Sequence, residues 1–232
     1  ALSDDCKTAS IVEVNSETDF VAKNEEFIEF VEGMAKLALK AQSNDIEAFK
    51  AMAFDDNQTI GEALTALIAK IGENMNVRRI EKVAGNVMAS YIHGGGNIGV
   101  IVAAEGNDTE ANREALKNVA MQVAALRPAY VCREEMSEEF IQKEKEILFA
   151  AAKNEKPGAP EKVLMGMVQG RLNKELKEFC LVDQVYVKAE DGKQAVSAYI
   201  AQVAKENGAN LSIKKFVRFE TGEGMEKKEE DF

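Results

Sequence analysis

Ala9-Ser10-Ile11-Val12-Glu13-Val14-Asn15-Ser16-Glu17-Thr18-Asp19-Phe20-Val21-Ala22-Lys23 is the stretch on which the reading of this chain turns. Ile11, Val12 and Val14 make a short strand-like run, and an apolar pattern of helical period begins just downstream, so Thr18-Asp19-Phe20 falls in the corner between strand and helix. Such corners run over the surface, because a buried one leaves main-chain polar groups without partners. A large ring, Phe20, is therefore offered near solvent. Periodicity also supports a second reading, in which Phe20 is the first inward residue of the helix, seven before Phe27.

From the corner, Phe20, Phe27, Val31, Met34 and Ala38 recur at three-, four- and seven-residue steps, which predicts one amphipathic helix to about Gln42. Ser43 or Asn44 is placed to cap a short helix through Met52. Thr59-Ile60-Gly61-Glu62 has the form of a capping box and Gly72 that of a helix end, so a helix is expected from Ile60 to Ile71. Residues 76–83 read as a strand. Residues 86–92 and 98–104 read as two more, joined at His93-Gly94-Gly95-Gly96-Asn97, whose glycines supply the positive backbone angles of a hairpin turn. A helix over residues 109–126 follows. The run Ile101 to Asn107 leading into it echoes the run Val12 to Thr18 leading into the first helix, which predicts two related subdomains.

Residues 137–153 carry a narrow apolar stripe, Lys156-Pro157-Gly158-Ala159-Pro160 breaks it, and Val163, Leu164, Met167, Val168, Leu172 and Leu176 resume it. Two thin seams joined by a Pro-Gly turn predict an antiparallel helical hairpin. It buries little surface by itself, so it is expected to protrude or to dock, a second copy of the chain being one such partner. A strand over 183–187, a helix over 195–206 and a strand over 211–220 complete the chain, and the tail from Thr221 to Phe232 needs a docking surface to order. The expected class is α+β: two related strand/helix subdomains with antiparallel sheet and a protruding antiparallel helical hairpin. The expected divisions are a first core subdomain over 1–85, a second over 86–127 and 181–222, the inserted hairpin over 128–180 and a tail over 223–232.

With 232 residues and 46 % hydrophobic side chains, a packed core is readily formed. The formal charge of -11 repels polyanions over a Debye length of roughly 8 Å at physiological salt, which disfavours nucleic acid as a direct partner. No apolar run approaches the roughly 20 residues that span a bilayer, so no membrane partner is expected. Cys6, Cys132 and Cys180 are far apart in sequence and lack the spacing of a zinc site or a disulfide framework, which suits a reducing compartment.

Several motifs invite a chemistry that their context refuses. Gly94, Gly96 and Gly99 match a dinucleotide-binding spacing, but a strand pattern follows where that fingerprint requires a helix N-terminus. His93-Gly94-Gly95-Gly96 resembles an esterase oxyanion segment, yet no Gly-x-Ser-x-Gly elbow exists and His93 is the single histidine, so a Ser-His-Asp triad is excluded. His93 reads as a turn residue facing water or as a partner contact. Glu134, Glu135, Glu138 and Glu139 form a solvated helix start, where negative charge suits the dipole, rather than a metal site. No cofactor or metal is expected, and no covalent chemistry.

Glu17-Thr18-Asp19-Phe20-Val21-Ala22-Lys23, Lys70-Ile71-Gly72-Glu73-Asn74-Met75-Asn76-Val77-Arg78-Arg79 and Phe219-Glu220-Thr221-Gly222-Glu223-Gly224, in this order, resemble translation elongation factor Ts. The resemblance runs over nearly the whole chain and implies guanine-nucleotide exchange on the GTPase elongation factor Tu. It implies that Asp19 and Phe20, flanked by Thr18 and Val21, intrude between helices of that partner, with Asp19 a helix-start carboxylate, a bond to the partner, or both. Ile71, Gly72 and Glu73 are implied to meet the partner's nucleotide-binding domain, and His93 to touch another part of it. It further implies a core and C-terminal part without the family's N-terminal three-helix domain. The implied compartment is the bacterial cytoplasm, with the chloroplast stroma or mitochondrial matrix as alternatives. The competing expectation is a non-catalytic adaptor that docks on a ribosome or other complex through the hairpin of residues 137–180.

Overall fold

β-branched and apolar residues at alternate positions make Thr8–Ser16 (β1) and Met75–Ala84 (β2) an antiparallel pair, in register from Thr8 opposite Ala84 to Ser16 opposite Met75. A computed structural model describes residues 1–226, and it divides into two units: 1–124 with the segment from Ala209 onward, and Ala125–Gly208. The class is α+β, as expected.

In the first unit one face of the β1–β2 pair is covered by Glu25–Ala38 (α2), Ile46–Lys50 (α3) and Ile60–Ile71 (α4). Between β1 and α2 lies a single turn of helix, Asp19–Ala22 (α1). Phe27, Phe30, Met34, Phe49, Ile60 and Val77 are buried together in this layer. The second sheet orders Val87–His93 (β3), Ile98–Gly106 (β4) and Leu211–Glu220 (β5) with β4 central, all antiparallel. Ile11 and Val83 from the first sheet pack against Met88, Ile101, Val217 and Phe219 from the second, so the two sheets share a core. Glu110–Leu126 (α5) is tied to the second sheet at both ends: Asn112 Nδ2 donates to Asn210 O at 3.2 Å, and Arg218 Nη2 to Ala124 O at 3.2 Å. The bulge between Ala103 and Ala104 accounts for the imperfect alternation of β5. Across it Ile213 and Phe216 share one face, and Val217 and Phe219 the other.

The second unit is built on the helical hairpin of Glu138–Glu155 (α6) and Glu161–Phe179 (α7), turned at Gly158 with φ 82°. Leu148, Ala152, Leu164, Val168, Leu172 and Leu176 form its seam. After α7 the chain makes a single 3-10 turn, Leu181–Asp183, and ends in Val196–Glu206 (α8).

Four sequence-based expectations are corrected. The helix drawn from the corner to Gln42 is interrupted, because the Asn24 side chain accepts from the Glu26 and Phe27 N–H groups at 2.9 and 3.3 Å and starts a new helix. That helix ends at Ala38, where the Lys82 ammonium takes the carbonyls of Leu39 and Ala41. Neither Ser43 nor Asn44 caps α3. Asp45 does, accepting from Ala48 N–H at 2.7 Å, while Asn44 accepts from Lys82 N–H of β2. The strand expected over 183–187 is a loop with one isolated bridge, Val185 to Ala195, and its Tyr186 stacks on Tyr199 of α8 with ring centroids 4.0 Å apart. Of the expected tail, residues 227–232 lie outside the described residues.

Candidate functional site

Thr18 is the hinge between β1 and α1. Its backbone stays extended (φ -124°, ψ 153°), and its hydroxyl accepts from Val21 N–H at 3.4 Å. Ser16 Oγ donates to Thr18 O at 3.1 Å, and beyond α1 the Asn24 cap fixes the entry to α2. A four-residue helix is too short to hold itself, since one turn orders several dihedrals for one hydrogen bond. These caps, and Val21 packed on the core, hold it instead. Both sequence readings of Phe20 are thereby decided: it is 88 % exposed on a corner fixed at each end, whereas Phe27 is buried.

The end of α4 lies beside this corner. Thr59 and Glu62 make the reciprocal capping box, Gly72 takes the left-handed conformation at φ 81°, and its N–H donates to Ile68 O at 2.8 Å. Ile71 is half-buried against the core. Glu17 Oε2 accepts from Asn74 N–H at 3.4 Å, and Ser16 pairs with Met75, so Thr18-Asp19-Phe20-Val21 and Ile71-Gly72-Glu73 are gathered at one end of the β1–β2 pair.

His93 ends β3 at the hairpin turn, exposed, with its Nδ1 2.9 Å from the Tyr91 hydroxyl. A strand follows the glycines, as the sequence implied, and no helix N-terminus. A cleft of about 410 Å³ runs between the corner and this turn, lined by Thr18, Asp19, Ile28, Ile92, Gly96 and Asn97 among others. His93 is not part of its lining. Two further apolar side chains are open to water here, Ile92 at 64 % and Ile28 at 42 %.

Charge inside the first unit converges on Glu13, which sequence reasoning passed over. Its carboxylate accepts from Arg78 Nη1 at 3.1 and 3.0 Å, Arg79 Nε at 2.5 Å, Asn15 Nδ2 at 3.1 Å and Gly222 N–H at 2.9 Å. Consecutive residues of a strand normally face opposite ways. The bulge that leaves Arg78 unmatched between the pairs Glu13–Arg79 and Val14–Val77 lets both arginines reach one carboxylate. Arg79 also covers the Phe219 ring at 4.0 Å and donates to Glu220 O at 3.2 Å, and Arg78 donates to Glu223 O. Burial pushes the Glu13 carboxyl up, but the hydrogen bonds from Gly222, Asn15, Arg79 and Arg78 outweigh it and hold the group below the usual carboxylate range. Glu13 thus fastens the turn after β5 to the strand that presents the corner. The signal was a lone acid on the inward face of β1 opposite a double arginine.

Among the described residues no group of three or more His, Cys, Asp or Glu side chains could hold a metal ion, and no helix is long and apolar enough to cross a membrane. Exposed apolar side chains on a rigid corner, flanked by a cleft, form a surface suited to protein docking.

Comparison with known proteins bears on this surface. Residues 17–223 match the family model described as elongation factor TS. The chain is 47 % identical over 234 residues to elongation factor Ts of Clostridium botulinum (strain Eklund 17B / Type B), covering all of this chain and 76 % of that protein. It is 47 % identical over 235 residues, with the same coverage, to elongation factor Ts of Clostridium perfringens (strain SM101 / Type A). To elongation factor Ts of Clostridium kluyveri (strain ATCC 8527 / DSM 555 / NBRC 12016 / NCIMB 10680 / K1) it is 45 % identical over 236 residues.

Proposed function

Because the chain belongs to the elongation factor Ts family, we propose that it is a guanine-nucleotide exchange factor that binds the GTPase elongation factor Tu and promotes release of GDP. The observation that carries the reading is Phe20, 88 % exposed on a corner that is held at both ends. Burying that ring in a pocket of the partner is worth about 1.5–3 kcal/mol, and because the corner is already ordered little of this is lost to ordering it.

A GTPase holds its nucleotide through backbone amides that cradle the phosphates and a magnesium ion bridging them. A wedge that displaces the helices and loops supporting those groups weakens nucleotide binding without forming any bond to it. Phe20 and Asp19, with Thr18 and Val21 behind them, are the wedge in this account. Ile71, Gly72 and Glu73 widen the contact at the same end of β1–β2, and His93 meets a separate part of the partner. By linkage, bound GDP must weaken the exchange factor as much as the exchange factor weakens GDP, each tenfold effect corresponding to about 1.4 kcal/mol of coupling. No cofactor and no covalent step enter.

The kinship with Clostridium proteins supports the bacterial cytoplasm as the working compartment. Release of a fluorescent GDP analogue from elongation factor Tu, followed with and without this chain, tests the proposal. Acceleration is expected, and an unchanged rate at saturating chain overturns it.

A further inference from the structure

His93 is the last rung of β3, opposite Ile98, with its backbone extended at φ -120° and ψ 151°. Alternation puts Tyr91 and His93 on one face of that strand and Ile92 on the other, where it lines the cleft. His93 is exposed at the mouth of the glycine turn, within reach of an incoming molecule, and Tyr91 is half-buried behind it. Their rings stand 5.8 Å apart at 42°, and the Tyr91 hydroxyl lies 2.9 Å from Nδ1. Among the described residues this is the one hydrogen bond of the imidazole.

That bond decides what the ring offers. A neutral imidazole has one donor and one acceptor nitrogen, while a phenol can act either way. The phenolic O–H is a stronger acid than a neutral imidazole N–H, and the bare imidazole nitrogen is a stronger base than a phenolic oxygen. The hydroxyl therefore donates to Nδ1, and the ring proton sits on Nε2, the nitrogen turned away from Tyr91.

We propose that Tyr91 is a positioning residue, which holds the His93 imidazole in one orientation and one tautomer so that Nε2–H is a ready donor to an acceptor oxygen of the docked GTPase. The inference rests on the reading that His93 meets elongation factor Tu. An unheld surface imidazole turns about two side-chain torsions and exchanges tautomers, and docking must order both. The bond from Tyr91 orders them beforehand. It also polarises the ring, which strengthens the outward N–H as a donor. A fixed donor selects its counterpart as well, because a cation or a second N–H placed against Nε2 leaves two donors facing each other.

The test uses Tyr91→Phe, which removes the hydroxyl and keeps the ring, together with His93→Ala. His93 is the single histidine of the chain, so long-range proton–nitrogen NMR correlation of the free protein reads its imidazole without overlap. At about pH 8.5, above the ordinary imidazole range, the parent is expected to show a bare Nδ1 and a protonated Nε2, and Tyr91→Phe to move toward the tautomer mixture of free imidazole. A protonated Nδ1 in the parent overturns the inference. Affinity for nucleotide-free elongation factor Tu is expected to fall about three- to tenfold in Tyr91→Phe, as the ordering of one side chain on docking implies. Adding Tyr91→Phe to His93→Ala should bring no further loss. Undiminished affinity in Tyr91→Phe, or an equal loss in the His93→Ala background, overturns the inference, the latter by making Tyr91 a contact in its own right. A parent chain that does not bind overturns the docking reading and this inference with it, whereas a parent that binds no better than Tyr91→Phe overturns this inference alone.

Discussion

Phe20 and Phe27 stand seven residues apart and would share a face of one unbroken helix, yet Phe20 is 88 % exposed and Phe27 is 6 % exposed. Asn24 separates them by capping a new helix. Their truncations should therefore differ in kind. In urea unfolding, Phe27→Ala is expected to cost about 3–5 kcal/mol, as for a phenylalanine removed from a packed core, and Phe20→Ala to stay within about 0.5 kcal/mol of the parent. Equal losses would mean that the ring of Phe20 packs at home.

Glu13 gives the fold an acid-sensitive fastening. Its carboxyl is depressed in the folded chain, so its contribution is present above the ordinary value of 4.5 and is lost as pH falls through the lower folded value. Stability measured from pH 7 downward should fall below about pH 4.5, and in Glu13→Gln this component of the fall should be absent. At pH 7 the substitution should cost about 2–3 kcal/mol, less than for a wholly buried ion pair because Arg78 and Arg79 remain 23 % and 29 % exposed. A stability curve of Glu13→Gln parallel to the parent's through the acid range would contradict this role.

The boundary of α4 was legible to the residue because its signals are local: a hydroxyl and a carboxylate three apart, an apolar stripe, and a glycine at the end. The helical hairpin was legible for the same reason, its seam running at helical steps on both sides of a Pro-Gly turn. What escaped depends on partners distant in sequence. The β1–β2 bulge that aims Arg78 and Arg79 at Glu13 is fixed by strand pairing across more than sixty residues, and no single stretch announces it. Residues 183–187 have strand composition, but their backbone is used in local turns, Asp183 and Gln184 N–H donating to Cys180 O, and in one isolated bridge, and their tyrosine in a stack on α8. At the corner, the place between strand and helix pointed to the surface while the period pointed inward, and the cap at Asn24 decided between them.

Two glycines in positive-φ conformations separate backbone strain from steric exclusion. Gly72 has φ 81° and open space where a Cβ would stand, so Gly72→Ala should cost about 1–2 kcal/mol from the left-handed backbone alone. Gly106 has φ 136°, and a Cβ there would lie 2.1 Å from Asn210 O, a main-chain atom that cannot swing aside. Gly106→Ala should be the more damaging of the two by chemical denaturation, exceeding the Gly72→Ala loss by at least about 1 kcal/mol. The reverse order would mean that the Asn107–Asn210 crossing yields easily.

Glu175 on α7 carries the opposite electrostatics to Glu13. Burial raises its carboxyl, and the neighbouring Glu144 and Glu178 raise it further. A raised acid stabilises the fold only while protonated, so its contribution falls as pH rises above the ordinary 4.5. Glu175→Gln should accordingly raise the melting temperature at pH 7 and have no effect near pH 4, which scanning calorimetry at the two values would check. A destabilised Glu175→Gln at pH 7 would reveal a partner for the carboxylate.

The most direct test of the proposed docking role of the corner is the release rate of a fluorescent GDP analogue from elongation factor Tu, measured with the parent chain and with Phe20→Ala at matched concentration. The account expects the parent to accelerate release and Phe20→Ala, still folded by circular dichroism, to lose at least about tenfold of that acceleration, the equivalent of about 1.4 kcal/mol of anchor burial. Acceleration by Phe20→Ala equal to the parent's would contradict it.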